Sequence, residues 1–257
     1  MEILALKLIL TPTLVSLASL AGRRWGPAVS GWLVGLPLTS GPIIFFLALG
    51  HGPSFARAAA VGTLMGTVSQ AVFCLASAWM AAHPSSGLLS LAAGVLAFAG
   101  ATTALQRLTP PLAMLFPGVV LALGLVLRFM PRGADAPVEP RPLPAWDIPA
   151  RMTVATAYVV LLTALAPTLG PHLTGLAAPF PLYALILAAF AHHLEGSASA
   201  IRVLRGLLFG LFSFAGFFVV VSICLGSLPL ALTFALAAAV AVILQGGSLL
   251  MLRRARH

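Results

Sequence analysis

The sequence predicts an all-α polytopic membrane protein with about nine transmembrane helices in two inverted-topology repeats, of five and four spans. Its composition supports this class, because 60% of the 257 residues are hydrophobic and 7% are charged, whereas soluble domains carry about 25% charged residues. The apolar runs are also long and continuous, which is typical of membrane helices rather than of β-barrel strands. In addition, a pattern of Gly and Pro residues recurs in the second half of the chain.

The hydrophobic segments, taken in chain order, predict the individual spans. Their bounds are 3–22, 28–49, 57–81, 87–106, 111–130, 151–168, 172–192, 198–225 and 229–252. The segment 131–150 is rich in proline, so it is predicted to be an extended cytoplasmic linker. It separates a first membrane repeat, 1–130, from a second, inverted repeat, 151–257. The first span is not expected to be a signal peptide, because Lys7 lies within it and arginines follow it.

The basic residues divide unevenly between the two predicted sides of the membrane. Lys7, Arg57 and Arg107 fall on one side. The other side holds Arg23, Arg24, Arg128, Arg132, Arg141, Arg151, Arg202, Arg205, Arg253, Arg254 and Arg256. The positive-inside rule then predicts an integral inner-membrane protein with its N-terminus outside and its C-terminus in the cytoplasm. Because the net charge of +9 arises from these loop and terminal positions, membrane lipids rather than nucleic acid are the expected partners.

An internal repeat decides the predicted architecture. Between residues 26 and 74, 14 of 49 positions are identical to the residue 144 positions later, without a gap. The matches include Gly26-Pro27-x3-Gly31 with Gly170-Pro171-x3-Gly175, Pro37 with Pro181, and Gly62-x3-Gly66 with Gly206-x3-Gly210. Five spans precede the second copy, an odd number, so the two copies are predicted to enter the membrane in opposite directions.

The second and seventh predicted spans are each interrupted by proline near the middle. A proline inside a helix removes a backbone hydrogen bond, and in lipid the freed carbonyl needs a partner from protein or cavity water. Interrupted helices at matching places in two half-chains are typical of the binding site of a secondary transporter. Ser40-Gly41-Pro42 also has the pattern of a helix start, with Ser40 as the capping residue and proline at the first helical position. The free N–H groups of such a start would attract an anion near mid-membrane. The alternative is a pair of kinks that only shape packing.

The predicted substrate-binding residues lie at the two breaks and on the helices with the Gly-x3-Gly pattern. They are Pro37, Thr39, Ser40, Gly41, Pro42, Ser69, Gln70, Pro179, Phe180, Pro181, Tyr183 and Ser213. Thr39 and Tyr183 put a hydroxyl beside each break, and Ser69 and Ser213 occupy matching positions. These serines and the adjacent glutamine either line a polar cavity or only make interhelical hydrogen bonds, and the sequence favours neither. The glycine pairs are predicted to be packing faces where helix backbones approach closely.

Two polar features near the ends of predicted spans are interpreted as structural rather than functional. His192-His193-x-Glu195 has residue types that bind metals or relay protons, but the first copy lacks this cluster, which favours an interfacial loop. Lys7 is the only charge predicted well inside a span, and its place near the outer end favours snorkelling to water. No acidic residue is predicted within a span, which weighs against a carboxylate relay. No cofactor and no metal site is expected.

The pattern as a whole favours a secondary transporter or facilitator of a small, anionic or neutral solute, working by alternating access around a midplane site. A channel is a close relative of this hypothesis. An enzyme is not expected, because no nucleophile–base pair, carboxylate pair or metal cluster lies within a span. The alternative is a non-catalytic subunit of a larger complex, docked through the linker around Trp146. Any ATP would then be bound by another chain, since no GxxxxGK[ST] loop occurs here. A homo-oligomer is also compatible with the sequence.

Overall fold

The computed structural model describes residues 2–25, 32–83, 86–132 and 146–254. These residues form helices, with no strand beyond one isolated bridge. The described helices are α1 (Glu2–Trp25), α2 (Ser40–His51), α3 (Pro53–Ala82), α4 (Gly87–Leu105), α5 (Leu112–Phe129), α6 (Asp147–Ala177), α7 (Leu182–Glu195), α8 (Ser197–Cys224) and α9 (Leu230–Arg254). The all-helical prediction is confirmed for this part of the chain.

Helix length separates these elements into two groups. Seven of the described helices are long and apolar enough to cross a membrane. The other two, α2 and α7, have 12 and 14 residues. Because a transmembrane helix needs about 20 residues, neither of these short helices crosses a bilayer by itself. The helices support an integral multi-pass membrane protein, while the count of nine spans stays a prediction.

The second and seventh predicted spans are both broken near the middle. In the second span, residues 35–39 leave the helical conformation before α2 begins. In the seventh, residues 178–181 separate the end of α6 from α7. The backbone of α6 also turns at Gly170, whose φ of 74° is rarely adopted by residues with a side chain. The last turns of α6, from Pro171 onward, therefore form the first half of the second broken segment.

Helices α3 and α8 form the centre of the bundle. They are buried along most of their length, whereas α1, α4, α5 and α9 each leave a broad face exposed. These exposed faces carry large apolar side chains such as Leu96, Leu121 and Ile243. An apolar surface of this extent marks contact with lipid or with another protein. The two most buried helices are the ones that carry the Gly-x3-Gly patterns.

Two helix pairs related by the 144-residue spacing contact each other, and the contact between α3 and α8 joins the start of one helix to the end of the other. Arg57, near the start of α3, donates from Nε to the Ser222 carbonyl near the end of α8, at 2.9 Å. Lys7, near the start of α1, donates from Nζ to Oγ1 of Thr163, well along α6, at 2.8 Å. In each pair, the beginning of one helix therefore lies beside a later part of its counterpart.

Some predictions concern residues outside the described part of the chain. Gly26, Pro27 and Gly31 of the sequence repeat lie there. Most of the predicted linker, 133–145, and Arg141 within it lie there as well. These predictions have no structural counterpart.

Candidate functional site at the two broken helices

The two breaks have the same backbone turn at matching positions. The amide of Leu38 donates to the carbonyl of Leu36 at 2.7 Å, and the amide of Leu182 donates to the carbonyl of Phe180 at 2.9 Å. Such a bond between residues two apart closes a γ-turn around the intervening proline. A proline suits this position because its ring fixes φ and it has no N–H to satisfy. The same local sequence thus produces the same irregular backbone twice.

The match continues through the start of each short helix. The Gly41 amide donates to the Pro37 carbonyl at 2.9 Å, and the Leu185 amide donates to the Pro181 carbonyl at 2.8 Å. Each proline carbonyl is therefore satisfied within its own break, as an apolar environment requires. The short helices α2 and α7 also end in the same way, at glycines with φ of 85° and 88°.

A side-chain hydrogen bond joins the two breaks directly. Ser40 is the first residue of α2, and its hydroxyl donates to the carbonyl of Ala178 in the second break, at 2.8 Å. Ser40 is buried, so this bond lies inside the protein. Thr39 holds the N-cap position of α2 without a side-chain cap. The predicted capping role of Ser40 is therefore wrong, because its hydroxyl binds the other broken segment.

The start of α2 has fewer free N–H groups than the sequence predicted. The amides of Gly41 and Ile43 donate to the carbonyls of Pro37 and Thr39. The residue between these two donors is Pro42, which has no N–H. The expectation of several free donors aimed at an anion is therefore wrong for this helix start.

Each break packs against the glycine-bearing central helix of the other half. A Cβ added at Gly35 would lie 2.5 Å from Cα of Gly210, and one added at Gly66 would lie 2.7 Å from Cγ of Pro179. Gly35 and Pro179 are 144 positions apart, as are Gly66 and Gly210. Gly62 makes a similar backbone contact with the first half of the second broken segment. The predicted packing role is confirmed for Gly62, Gly66 and Gly210.

An apolar cavity of about 370 Å³ lies beside the first break. Its walls come from α1, α2, α8, α9 and the break, and the lining residues are Leu10, Leu14, Leu36, Pro37, Leu38, Gly41, Pro42, Phe45, Phe217, Phe234, Ala238, Ala241 and Val242. Three predicted site residues, Pro37, Gly41 and Pro42, are among them. Val242 is 67% exposed, so the cavity reaches the outer apolar surface between α1 and α9. The other predicted site residues do not line this cavity.

The polar residues predicted on α3 and α8 are buried and bind neighbouring helices. Ser69 accepts a hydrogen bond from Oγ1 of Thr102 in α4 at 2.9 Å, and Ser213 donates to Oε1 of Gln245 in α9. Gln70 is also buried, and its Oε1 has no hydrogen-bond partner among the described residues. Both serines thus make interhelical hydrogen bonds, which was one of the two interpretations left by the sequence.

The second break is surrounded by aromatic rings. Phe180 packs edge-on against Phe98, with ring centroids 5.1 Å apart, and lies 6.2 Å from the ring of Tyr158. The Tyr158 hydroxyl donates to the carbonyl of Ala177 at 2.7 Å, which satisfies a backbone group at the break. The ring of Phe180 therefore occupies a packed position in the described structure rather than an open one.

A buried ion pair beside the second break was not predicted. Arg151 and Asp147 form a salt bridge of 2.6 Å, and both side chains are almost fully buried. The Arg151 guanidinium also lies over the ring of Tyr183, 5.0 Å from its centroid. The Tyr183 hydroxyl is 2.6 Å from Oγ of Ser19, which links the end of α1 to the second break. Asp147, the first residue of α6, is thus a buried acidic side chain at a position that the sequence assigned to the linker.

A signal for this ion pair exists in the sequence. Asp147 precedes Arg151 by four residues, a spacing that brings opposite charges together on a helix. Arg151 is also the residue 144 positions after Lys7. The pair was missed because hydropathy places the start of the span at residue 151, one turn too late.

Lys7 has protein partners where snorkelling to water was favoured. Its ammonium group binds Thr163 and lies 5.6 Å from the ring centroid of Phe46. The side chain is half-buried, in contact with α6 and α2. Lys7 therefore joins α1 to α6 and α2, and its snorkelling to water stays a prediction.

The His192-His193-x-Glu195 cluster lies at the end of α7. Glu195 accepts a hydrogen bond from the Ser199 hydroxyl at the start of α8. No group of three or more metal-ligating side chains occurs within the described residues. This arrangement favours a helix-connecting role for the cluster.

Comparisons of this chain with protein-family models, with curated proteins and with solved structures find no significant match.

Proposed function

We propose that this protein is a membrane transporter or facilitator of a small solute, built from two inverted copies of one broken-helix unit. The observation that carries the proposal is the hydrogen bond from Ser40 to Ala178, which joins two breaks of matching backbone geometry. Irregular backbone is tolerated inside a membrane only where protein or a cavity satisfies it. Paired breaks that meet in the interior are the usual arrangement of a secondary transporter's binding site.

The antiparallel packing supports the inverted relationship. Counterpart helices α3 and α8 run in opposite directions, because Arg57 near the start of α3 binds Ser222 near the end of α8, and counterparts α1 and α6 also contact each other. A two-fold axis in the membrane plane produces this arrangement when the two halves are inverted copies. Under this proposal the repeats are residues 1–130 and 151–257, with the N-terminus outside.

The solute is proposed to be neutral and largely apolar. The cavity at the first break is lined by apolar side chains, and the start of α2 offers few free donors for an anion. A cavity of about 370 Å³ lies within the range of about 300–1,000 Å³ that is common for small-molecule sites. The apolar lining and the few free donors therefore favour a neutral solute over an anionic one.

Alternating access supplies the mechanism. In one state the cavity beside the first break is open, while the second break is packed against Phe98 and Tyr158. Because the two breaks have the same backbone, a rocking of one half against the other would open the second break and close the first. Gly35 and Gly66 lie at the contacts where one half would slide past the other. Because glycine has no side chain, the backbones of the two halves touch directly at these positions.

Uptake into proteoliposomes tests this proposal. The purified protein is reconstituted and assayed for counterflow of a panel of labelled neutral metabolites, amphipathic solutes and organic anions. The test variant is Ala238→Phe, because Ala238 lines the cavity and a phenyl ring there fills it. The matched control is Ala239→Phe, whose position is exposed on the same helix and does not line the cavity.

The expected result is uptake of a neutral solute by the wild-type protein and by Ala239→Phe, with a loss of at least tenfold in Ala238→Phe. If Ala238→Phe transports as well as the control does, the cavity is not on the pathway. If no solute is taken up and a second chain co-purifies in fixed stoichiometry, the subunit alternative replaces the transporter. Trp146, which immediately precedes α6, is exposed and packs against Phe190, and it is the docking position in that case.

A further inference from the structure

A second cavity, distant in sequence from both breaks, is lined by three arginines. It has a volume of about 610 Å³ and lies between the end of α5 and the early part of α8. The lining residues are Gly124, Leu127, Arg128, Met130, Arg132 and Arg205. Gly124, Leu127 and Arg128 fall on one face of α5, because residues three and four apart are neighbours on a helix.

The positive charge in this cavity is not balanced by a carboxylate in the described part of the chain. Asp147 pairs with Arg151, and Glu195 accepts a hydrogen bond from Ser199. These are the two acidic side chains whose positions the structure describes. Three guanidinium groups around one cavity repel each other unless an anion lies between them.

The surroundings of the cavity match the boundary between lipid and water. Leu121 and Leu125 expose large apolar surfaces on the same helix, about two turns and one turn before Arg128, and the exposed Phe129 follows Arg128 directly. Arg128 lies in the last turn of α5, so its guanidinium reaches the end of the apolar zone. Phosphate groups of phospholipids occur at this depth, and basic pockets between membrane helices recognise them.

We propose that this arginine pocket binds a phosphate group, supplied by an anionic phospholipid of the surrounding leaflet or by a free phosphate anion. Arginine suits this ligand because its planar fork donates two parallel hydrogen bonds to phosphate oxygens. The site is separate from the transport pathway proposed above. Its role would be to fix α5, a peripheral helix, against the central helix α8.

Thermal unfolding in detergent tests the site with three probes: dioleoyl phosphatidylglycerol, dioleoyl phosphatidylcholine and inorganic phosphate. The key variant is Gly124→Leu, because nothing lies within 4 Å of a Cβ added at Gly124 and the larger side chain enters the pocket. The matched control is Gly118→Leu, on the same helix, where the space around an added Cβ is equally open. Both variants keep all three arginines.

A ligand that binds only the folded state raises Tm, and the expected rise for wild type is roughly 3–6 °C with phosphatidylglycerol. Gly118→Leu keeps this rise and Gly124→Leu loses it, as does Arg128→Ala with Arg205→Ala. Phosphatidylcholine gives a rise of less than about a third of that size. Inorganic phosphate distinguishes the two sources of the ligand. A rise in Tm with inorganic phosphate assigns a free phosphate anion. No rise with inorganic phosphate, together with a rise with phosphatidylglycerol, assigns the lipid.

Three outcomes overturn the proposal. One is an equal rise with phosphatidylcholine and phosphatidylglycerol, which would show that headgroup charge is not recognised. Another is an unchanged rise in Gly124→Leu, which would place the lipid elsewhere. The third is that no probe raises the Tm of wild type, and the variant Asp135→Asn with Glu139→Gln then shows whether the linker carboxylates compete for the pocket.

Discussion

Gly35 and Gly210 meet backbone to backbone, so closely that a Cβ added at Gly35 would lie 2.5 Å from Cα of Gly210. The positions 144 residues away from this pair, Pro179 and Gly66, make the equivalent contact on the other side of the bundle. Each broken segment is thereby held by the unbroken central helix of the other half. Small residues at such crossings let membrane helices pack by close van der Waals contact.

Gly66→Ala is expected to destabilise the fold strongly. The added methyl would lie 2.6 Å from the carbonyl oxygen of Leu176, and a backbone atom cannot move aside as a flexible side chain can. Overpacking of this kind costs about 1–3 kcal/mol. A lower Tm in detergent checks this prediction.

The control for Gly66→Ala is Gly100→Ala, because nothing lies within 4 Å of a Cβ added at Gly100 in α4. That change is expected to be neutral or to stabilise by about 0.5–1 kcal/mol, since alanine favours the helix. Equal melting of the two variants would mean that α3 and the second break are not in close contact.

Gly52→Ala and Gly196→Ala are expected to lower the stability by similar amounts. Both glycines have φ near 85° and ψ beyond 165°, a region that is almost exclusive to glycine. No atom lies within 4 Å of a Cβ added at either position, so the cost is backbone strain alone, about 1–3 kcal/mol. Melting curves of both variants measure it.

The control for Gly52→Ala and Gly196→Ala is Gly50→Ala. Gly50 lies in the helical part of α2, and no atom lies within 4 Å of a Cβ added there. Gly50→Ala is expected to melt at or above the wild-type temperature. A clear fall in Tm for Gly52→Ala with no fall for Gly196→Ala would argue against equivalent roles for the two positions.

Removing one partner of the buried ion pair is expected to be more harmful than removing both. Asp147→Asn or Arg151→Gln alone leaves a buried charge without its counter-charge, which costs roughly 3–5 kcal/mol. The double variant loses both charges, so its destabilisation is expected to be smaller than that of either single variant and well below the sum of the two. A double-mutant cycle on Tm gives the coupling, and strict additivity would show that the two charges do not interact.

Much of the fold could be predicted from the sequence because its signals are local. Long apolar runs gave helix bounds such as 57–81 and 87–106, which lie within a few residues of α3 and α4. The prolines at positions 37 and 181 act through their own ring geometry, so the breaks occur where the sequence placed them.

The side-chain contacts across the bundle could not be predicted in the same way. Ser40 has the residue type and spacing of a helix cap, and only the tertiary structure shows that the Ala178 carbonyl is its acceptor. Asp147 was missed because hydropathy averages over a window and cannot show that a charged first turn is buried. The cavity depends on Phe217 and Phe234, which lie far from the first break in sequence.

The opposite orientation of the two halves is tested most directly by cysteine labelling at Ser54 and Ala198, which are 144 positions apart. Single cysteines are introduced at these sites after Cys74 and Cys224 have been replaced by serine or alanine. Intact cells and inverted membrane vesicles are then exposed to a thiol reagent that does not cross membranes. The expected result is that Ser54→Cys reacts only in intact cells and Ala198→Cys only in inverted vesicles. Labelling of both positions from the same side would contradict the inverted arrangement.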